Sequence, residues 1–192
     1  MKISRKSANS NALVLLSGGI DSAACARYLQ DEGFSVSCVF IDYGQAAAKP
    51  ERVAAAALAD TLKTTLSVVT VSSKRRFGVG EIPGRNAFLI LTAMTICEVN
   101  SGVISLGIHG GTSYYDCSPA FFASVDRLVA EYSDGRVRVS APFLLWNKRD
   151  IFDYYMRTEI PTEITYSCEA GQEPPCGRCA SCLDRRVLGC FP

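Results

Sequence analysis

The chain has 192 residues, 48% of them hydrophobic, and a formal net charge of +1. That is enough for one domain with a substantial core, and the charge balance gives no bulk attraction for nucleic acid, so no direct nucleic-acid partner is expected. No apolar run approaches the roughly 20 residues of a membrane helix, and the basic opening MKISRKSANSN leads into an apolar run that breaks at Ser17, too early for a signal peptide; a cytoplasmic protein without membrane contact is expected.

Apolar, β-rich runs then alternate with helical patterns. Residues 12–16 (ALVLL) read as a strand and residues 22–30 as a helix. A second strand is expected at 36–41, a helix at 50–63 with Pro50 in its first turn, and a third strand at 66–71. An apolar helix at 86–100, a strand at 102–108, a helix at 119–132 and a strand at 136–142 complete the series. Strands that are apolar throughout and alternate with helices predict an α/β fold, a doubly wound parallel sheet covered on both faces. From Thr165 onward Cys, Gly, Pro and Arg replace this rhythm. One domain is expected over 1–192, with 165–192 as a cysteine-rich segment of it.

In such folds ligands sit beyond the carboxyl ends of the strands. The first strand-to-helix turn there reads Ser17-Gly18-Gly19-x-Asp21-Ser22. Two glycines let the backbone approach a ligand, and amide hydrogens opening the next helix cradle anions. Ser17 and Ser22 add hydroxyl donors. Asp21 would repel a phosphate, so it is expected to brace the loop or to hold Mg²⁺ between phosphates. The plainer alternative, a glycine turn with Asp as a helix cap, does not explain the complete string. No Gly-x4-Gly-Lys-Ser/Thr string is present, and GVGEIPG (78–84) is one residue too long for a dinucleotide fingerprint. The loop resembles the PP-loop of ATP pyrophosphatases, which split ATP into AMP and pyrophosphate.

Nine cysteines are present, five of them after residue 167. Cys168, Cys176, Cys179 and Cys182 have the spacing C-x7-C-x2-C-x2-C, which suits a closed, structural Zn²⁺ site. An iron–sulfur cluster is the chemical rival. Cys190 falls outside the pattern.

Further strings narrow the resemblance. Asp42-Tyr43-Gly44-Gln45 follows the second strand, where an adenosine-binding edge would lie; Gly84, Arg85 and Asn86 stand at a helix start. Arg85 there suits a bidentate clamp on phosphate or carboxylate; as a merely exposed arginine it would meet an unfavourable helix dipole. With Tyr115-Asp116-Cys117, the segment 141–152 with Lys148, and Cys-Gly-x-Cys-x-x-Cys ahead of Arg185, the chain resembles the 7-cyano-7-deazaguanine synthase family over nearly its whole length. The resemblance implies that ATP adenylates the carboxylate of 7-carboxy-7-deazaguanine, that ammonia gives the amide, and that a second ATP leads to the nitrile. It implies catalytic roles for Asp21, Arg85 and Lys148. A nucleotide site would comprise Ser17, Gly18, Gly19, Asp21, Ser22, Asp42, Tyr43, Gly44, Gln45, Gly84, Arg85 and Asn86. Substrate contacts fall to Tyr115, Asp116 and Arg185, zinc is favoured at the cysteines, and a homodimer is expected.

Departures cluster around the substrate base. The segment 72–82 is short and basic, residues 107–122 lack an expected acid and carry Ser118 in place of arginine, and AAAKPE follows Asp42-Tyr43-Gly44-Gln45. His109, at the carboxyl end of a strand, is a candidate for base recognition or a hydrogen-bonded structural residue. Shorter segments are expected to leave the activated carboxylate open, with the basic 72–82 segment facing an acidic partner. Two alternatives follow: conjugation of the deazaguanine acyl group to a protein amine, as in an anti-phage defence system, and a catalytically idle nucleotide-binding subunit.

Overall fold

A computed structural model describes residues 10–191. The basic residues that open the chain, read above as no signal peptide, lie outside the described residues, as does residue 192.

Five parallel strands form one sheet: β1 (Asn11–Leu15), β2 (Ser35–Asp42), β3 (Leu66–Thr70), β4 (Gly102–Ser105) and β5 (Val137–Ser140), in the order β3-β2-β1-β4-β5. Parallel neighbours need crossovers, and helices supply them: α1 (Ile20–Asp31), α2 (Ala48–Thr61), α3 (Arg85–Ile96) and α4 (Pro119–Tyr132), followed by α5 (Lys148–Met156) and α6 (Ala180–Val187). Successive strand side chains point to opposite faces. Ala12, Val14 and Leu16 accordingly pack with residues of α1, α2 and α5, while Leu13 and Leu15 pack with those of α3 and α4. The sheet is therefore doubly wound.

The edge strand β3 departs from the two-face expectation. Val68 is 40% exposed, although it stands opposite buried Phe40 on the face that α1 and α2 cover. β4 and β5 are also shorter than their apolar runs. The chain leaves the sheet beyond Ser105, where Gly107 passes so close to α1 that a Cβ would stand 2.5 Å from the Asp21 carbonyl.

Two helices emerge that the apolar periodicity left unassigned. α5 starts with a capping box: Asn147 Oδ1 accepts from Asp150 N at 2.9 Å, and Asp150 Oδ2 accepts from Asn147 N. It docks on α1 through aromatic rings, with Tyr154 edge-on to Tyr28 at 5.8 Å and against Phe143 at 6.1 Å. α6 begins just after Cys179 and buries only Cys182 and Arg185. Among the described residues no helix is long and apolar enough to cross a membrane.

Strand order reverses at β1, which has β2 on one side and β4 on the other. The loops after these strands diverge to opposite faces, and the crevice between them is where this fold binds ligands.

Candidate active site

A cleft of about 300 Å³ opens above the carboxyl ends of β1, β2 and β4. Its floor is the turn from β1 into α1. Gly18 has φ +88°, and a Cβ on it would lie 2.6 Å from the Glu51 carbonyl, so this glycine lets the turn pack against α2. Gly19 faces the cleft and caps α1 without a side-chain hydrogen bond. The first-turn amides of α1 have no intrahelical acceptor, and they form an anion cradle. Ser22 serves the loop itself: its hydroxyl accepts from Ser17 N at 3.2 Å and donates to the Gly19 carbonyl at 2.9 Å.

Asp21 pairs with Lys148 across the floor, Nζ to Oδ2 at 2.5 Å. Its other oxygen, Oδ1, is buried with no hydrogen-bond partner. An orphaned carboxylate oxygen is costly, and beside an anion cradle it suits a hard divalent cation.

The β2 side is built by the 42–45 loop. Asp42 Oδ1 accepts from Gly44 N at 3.0 Å, and Gln45 Oε1 accepts from Tyr43 N at 2.9 Å. The Gln45 amide then donates to Glu51 Oε2 at 3.0 Å. Burial pushes the Glu51 carboxyl up, opposed by Gln45 and Arg85. Opposite stands the start of α3, where Gly84 takes the left-handed cap with φ +77°. Arg85 lines the cleft; buried Asn86 donates through Nδ2 to the Asp116 carbonyl at 3.0 Å, and its amide reaches Asp116 Oδ2 at 3.3 Å.

The last wall comes from the chain's tail. Tyr166 N donates to the Gly18 carbonyl at 2.9 Å. Glu169 Oε1 accepts from Ser181 N at 3.1 Å and Oγ at 3.0 Å, and its Oε2 accepts from Gly80 N at 3.1 Å. That last bond ties the basic 72–82 segment down. Buried Arg185 donates to Thr165 Oγ1 at 2.7 Å and to the Cys190 carbonyl at 3.2 Å, stitching α6 to residues 162–167.

Behind this wall the sulfurs of Cys168, Cys176, Cys179 and Cys182 lie within 4.8 Å of one another. A tetrahedral zinc with Zn–S bonds near 2.3 Å needs sulfurs about 3.8 Å apart, and Cys176 and Cys182 stand at 4.0 Å. Burial alone would raise the Cys168 thiol, but amide donors at Cys176, Gln172 and Ala170 outweigh it and bring it down to about 6. Amides aimed at sulfur favour thiolates, the form that binds metal. The donor set and spacing fit zinc.

Of the residues singled out from sequence, Ser17, Gly19, Asp21, Ser22, Tyr43, Gln45, Arg85, Asn86, Lys148 and Arg185 line the cleft. Gly18, Asp42, Gly44 and Gly84 shape the surrounding turns. His109 is buried beside the floor: its Nδ1 accepts from Gly111 N at 3.1 Å, and burial, partly opposed by Asp21, lowers its pKa. Asp116 sits under the α3 start, and Tyr115 is 64% exposed against Phe121. Glu51, Tyr166, Ser167, Glu169, Ser181 and Asp184 also line the cleft. Glu51 reads in sequence as an ordinary acid in a helix's first turn, and only the packing of α2 on the turn after β1 brings it in.

The family model of the queuosine biosynthesis protein QueC matches residues 11–81 and 79–188. The 7-cyano-7-deazaguanine synthase of Halobacterium salinarum is 32% identical over 202 residues, covering 91% of this chain and 88% of its own. That of Prochlorococcus marinus is 34% identical over 203 residues, covering 90% of each. Among solved structures, a predicted subunit of tRNA methyltransferase from Methanocaldococcus jannaschii superimposes with a TM-score of 0.53 at 17% identity, over 77% of this chain and 74% of that one. It shares the fold.

Proposed function

Since the chain belongs to the QueC family of queuosine biosynthesis proteins, we propose that it is an ATP-dependent carbon–nitrogen ligase acting on 7-carboxy-7-deazaguanine. The observation that carries this reading is Asp21: a carboxylate paired to Lys148 through one oxygen, with the other buried and bare beside an anion cradle.

In this reading the amides opening α1, with Ser17 and Gly19, receive the β- and γ-phosphates of ATP. Asp21 Oδ1 is the ligand that Mg²⁺ would take, and Mg²⁺ would neutralise charge on the departing pyrophosphate. Lys148, freed from Asp21, turns to the phosphates. Arg85 clamps the substrate carboxylate and brings its oxygen in line with the α-phosphate. Carboxylate oxygen bonds to phosphorus, the bond to pyrophosphate breaks, and the acyl-adenylate results. Ammonia displaces AMP and gives the amide; a second round activates the amide oxygen, whose loss leaves the nitrile. The chemistry needs no protein nucleophile, and positioning with charge neutralisation is the work the site suits. The four-cysteine site keeps the tail wall in place and takes no part in the chemistry.

The test is purified protein with ATP, Mg²⁺, 7-carboxy-7-deazaguanine and ammonium. Pyrophosphate and AMP are expected only when the carboxylate is present, followed by product masses of the amide and then the nitrile. Substrate-independent silence would replace this reading with an idle nucleotide-binding subunit, and a deazaguanine adduct on a protein would replace it with conjugation.

A further inference from the structure

The cleft carries four carboxylates, Asp21, Glu51, Glu169 and Asp184, in a place that must accept anions. Three are accounted for. Asp21 pairs with Lys148. Glu169 has both oxygens occupied by Ser181 and Gly80. Asp184 lies on the exposed side of α6. Glu51 remains. It projects from the first turn of α2, its main chain packed under Gly18, into the space facing Arg85.

Its orientation is specified. Gln45 gives its carbonyl oxygen to Tyr43 N, so its amide nitrogen has to face the Ile41 carbonyl and Glu51 Oε2. Glu51 Oε2 is thereby held, while Oε1 has no hydrogen bond among the described residues. A fixed, half-buried carboxylate next to an anion site repels phosphate and carboxylate. Arg85, the cation it faces, is committed to the substrate carboxylate in the ligase reading, so a second cation is needed. The ligase reading, on which this inference rests, supplies one, because ammonia at neutral pH is mostly ammonium.

We propose that Glu51 is the catalytic base of the amine step: it draws ammonium to the acyl carbon held by Arg85 and takes the proton that nitrogen gives up. Ammonium yields one proton in binding, passed through the open cleft to water. Ammonia nitrogen then bonds to the acyl carbon, the carbon–oxygen bond to AMP breaks with its electron pair leaving on AMP, and the proton released from nitrogen goes to the Glu51 carboxylate. Burial, which raises the Glu51 carboxyl above its ordinary value, improves it as a proton acceptor.

Adenylation and amination are separable. ATP–pyrophosphate exchange dependent on 7-carboxy-7-deazaguanine reports the first step alone. Glu51→Gln should keep that exchange within about threefold while losing ammonia-dependent amide formation by about 100-fold or more. It should still form hydroxamate from hydroxylamine, which is a free base at neutral pH. Glu51→Asp, with its carboxylate one methylene shorter, should retain part of the amide rate. An unchanged amide rate in Glu51→Gln overturns the proposal. So does loss of exchange in that variant, or its recovery at high Mg²⁺, which would place Glu51 in adenylation. Parallel loss of hydroxamate and amide would make it a positioning residue and overturn the proposal as well. Absence of exchange in the wild type removes the ligase reading itself.

Discussion

Gly18 and Gly19 are neighbours in one loop with different reasons to be glycine. At Gly18 the backbone is left-handed and the space is filled by the α2 main chain at 2.6 Å. At Gly19 the backbone is extended, with φ −89° and ψ 165°, and a Cβ would meet the Tyr166 carbonyl at an ordinary 3.6 Å. Gly18→Ala should therefore destabilise the protein by about 1–3 kcal/mol, read by urea unfolding. Gly19→Ala should leave stability within about 0.5 kcal/mol and instead raise the apparent Kd for ATP, because the new methyl occupies the cradle. Equal effects of the two variants on stability would refute this division.

At the scale of elements, the tail is the part of the site least like its surroundings. Segment 162–169 and helix α6 have a small apolar cluster of their own, Cys168, Cys179 and Cys182 with Tyr166, Ala170, Cys176 and Phe191 around them. An eight-residue helix has little intrinsic stability, so its place depends on what ties its ends. Metal is the expected tie at its start, and Arg185 is the tie at its end. Cys179→Ala should lose stoichiometric zinc and raise hydrogen exchange across 162–188, with β1, β2 and β4 still protected. ATP binding should fall with it, although no cysteine lines the cleft. Iron with inorganic sulfide in the wild type, or unchanged exchange in the variant, would count against this account.

The whole molecule is held partly by one ion pair between α4 and β5. Asp126 is 8% exposed. Burial alone would raise its carboxyl, but Arg138 and the Val139 amide, 2.9 Å from Oδ1, outweigh it and hold the pKa below its ordinary value. A depressed carboxyl stabilises the fold fully above its unfolded pKa, about 4, and the contribution fades as pH falls through the folded value. Asp126→Asn should be less stable than wild type at pH 7 by about 1–3 kcal/mol, and the gap should close as pH falls below the unfolded value of about 4. A gap that stays constant would disprove the assignment. Much of the architecture was legible beforehand. The alternation of apolar runs and helical patterns reads directly as the winding, and the Ser17–Ser22 string reads as the floor of a cleft. α5 and α6 were not legible, because one is set by a capping box and an aromatic cluster and the other by the cysteines. Glu51 and Glu169 were hidden for a related reason: they reach the cleft through packing between segments far apart in sequence, which no local pattern records.

The hydrogen bond from Tyr166 to Gly18 joins the first turn of the described chain to its tail. During synthesis all five strands have been made once Ser140 has emerged, yet the cleft still lacks a wall. A nascent chain therefore has its whole sheet before it can complete the cleft. Under the proposed function, ATP consumption would begin only after the cysteines have left the ribosome and found their metal. Zinc supply would then be a gate on the birth of activity, separate from any control of the finished protein.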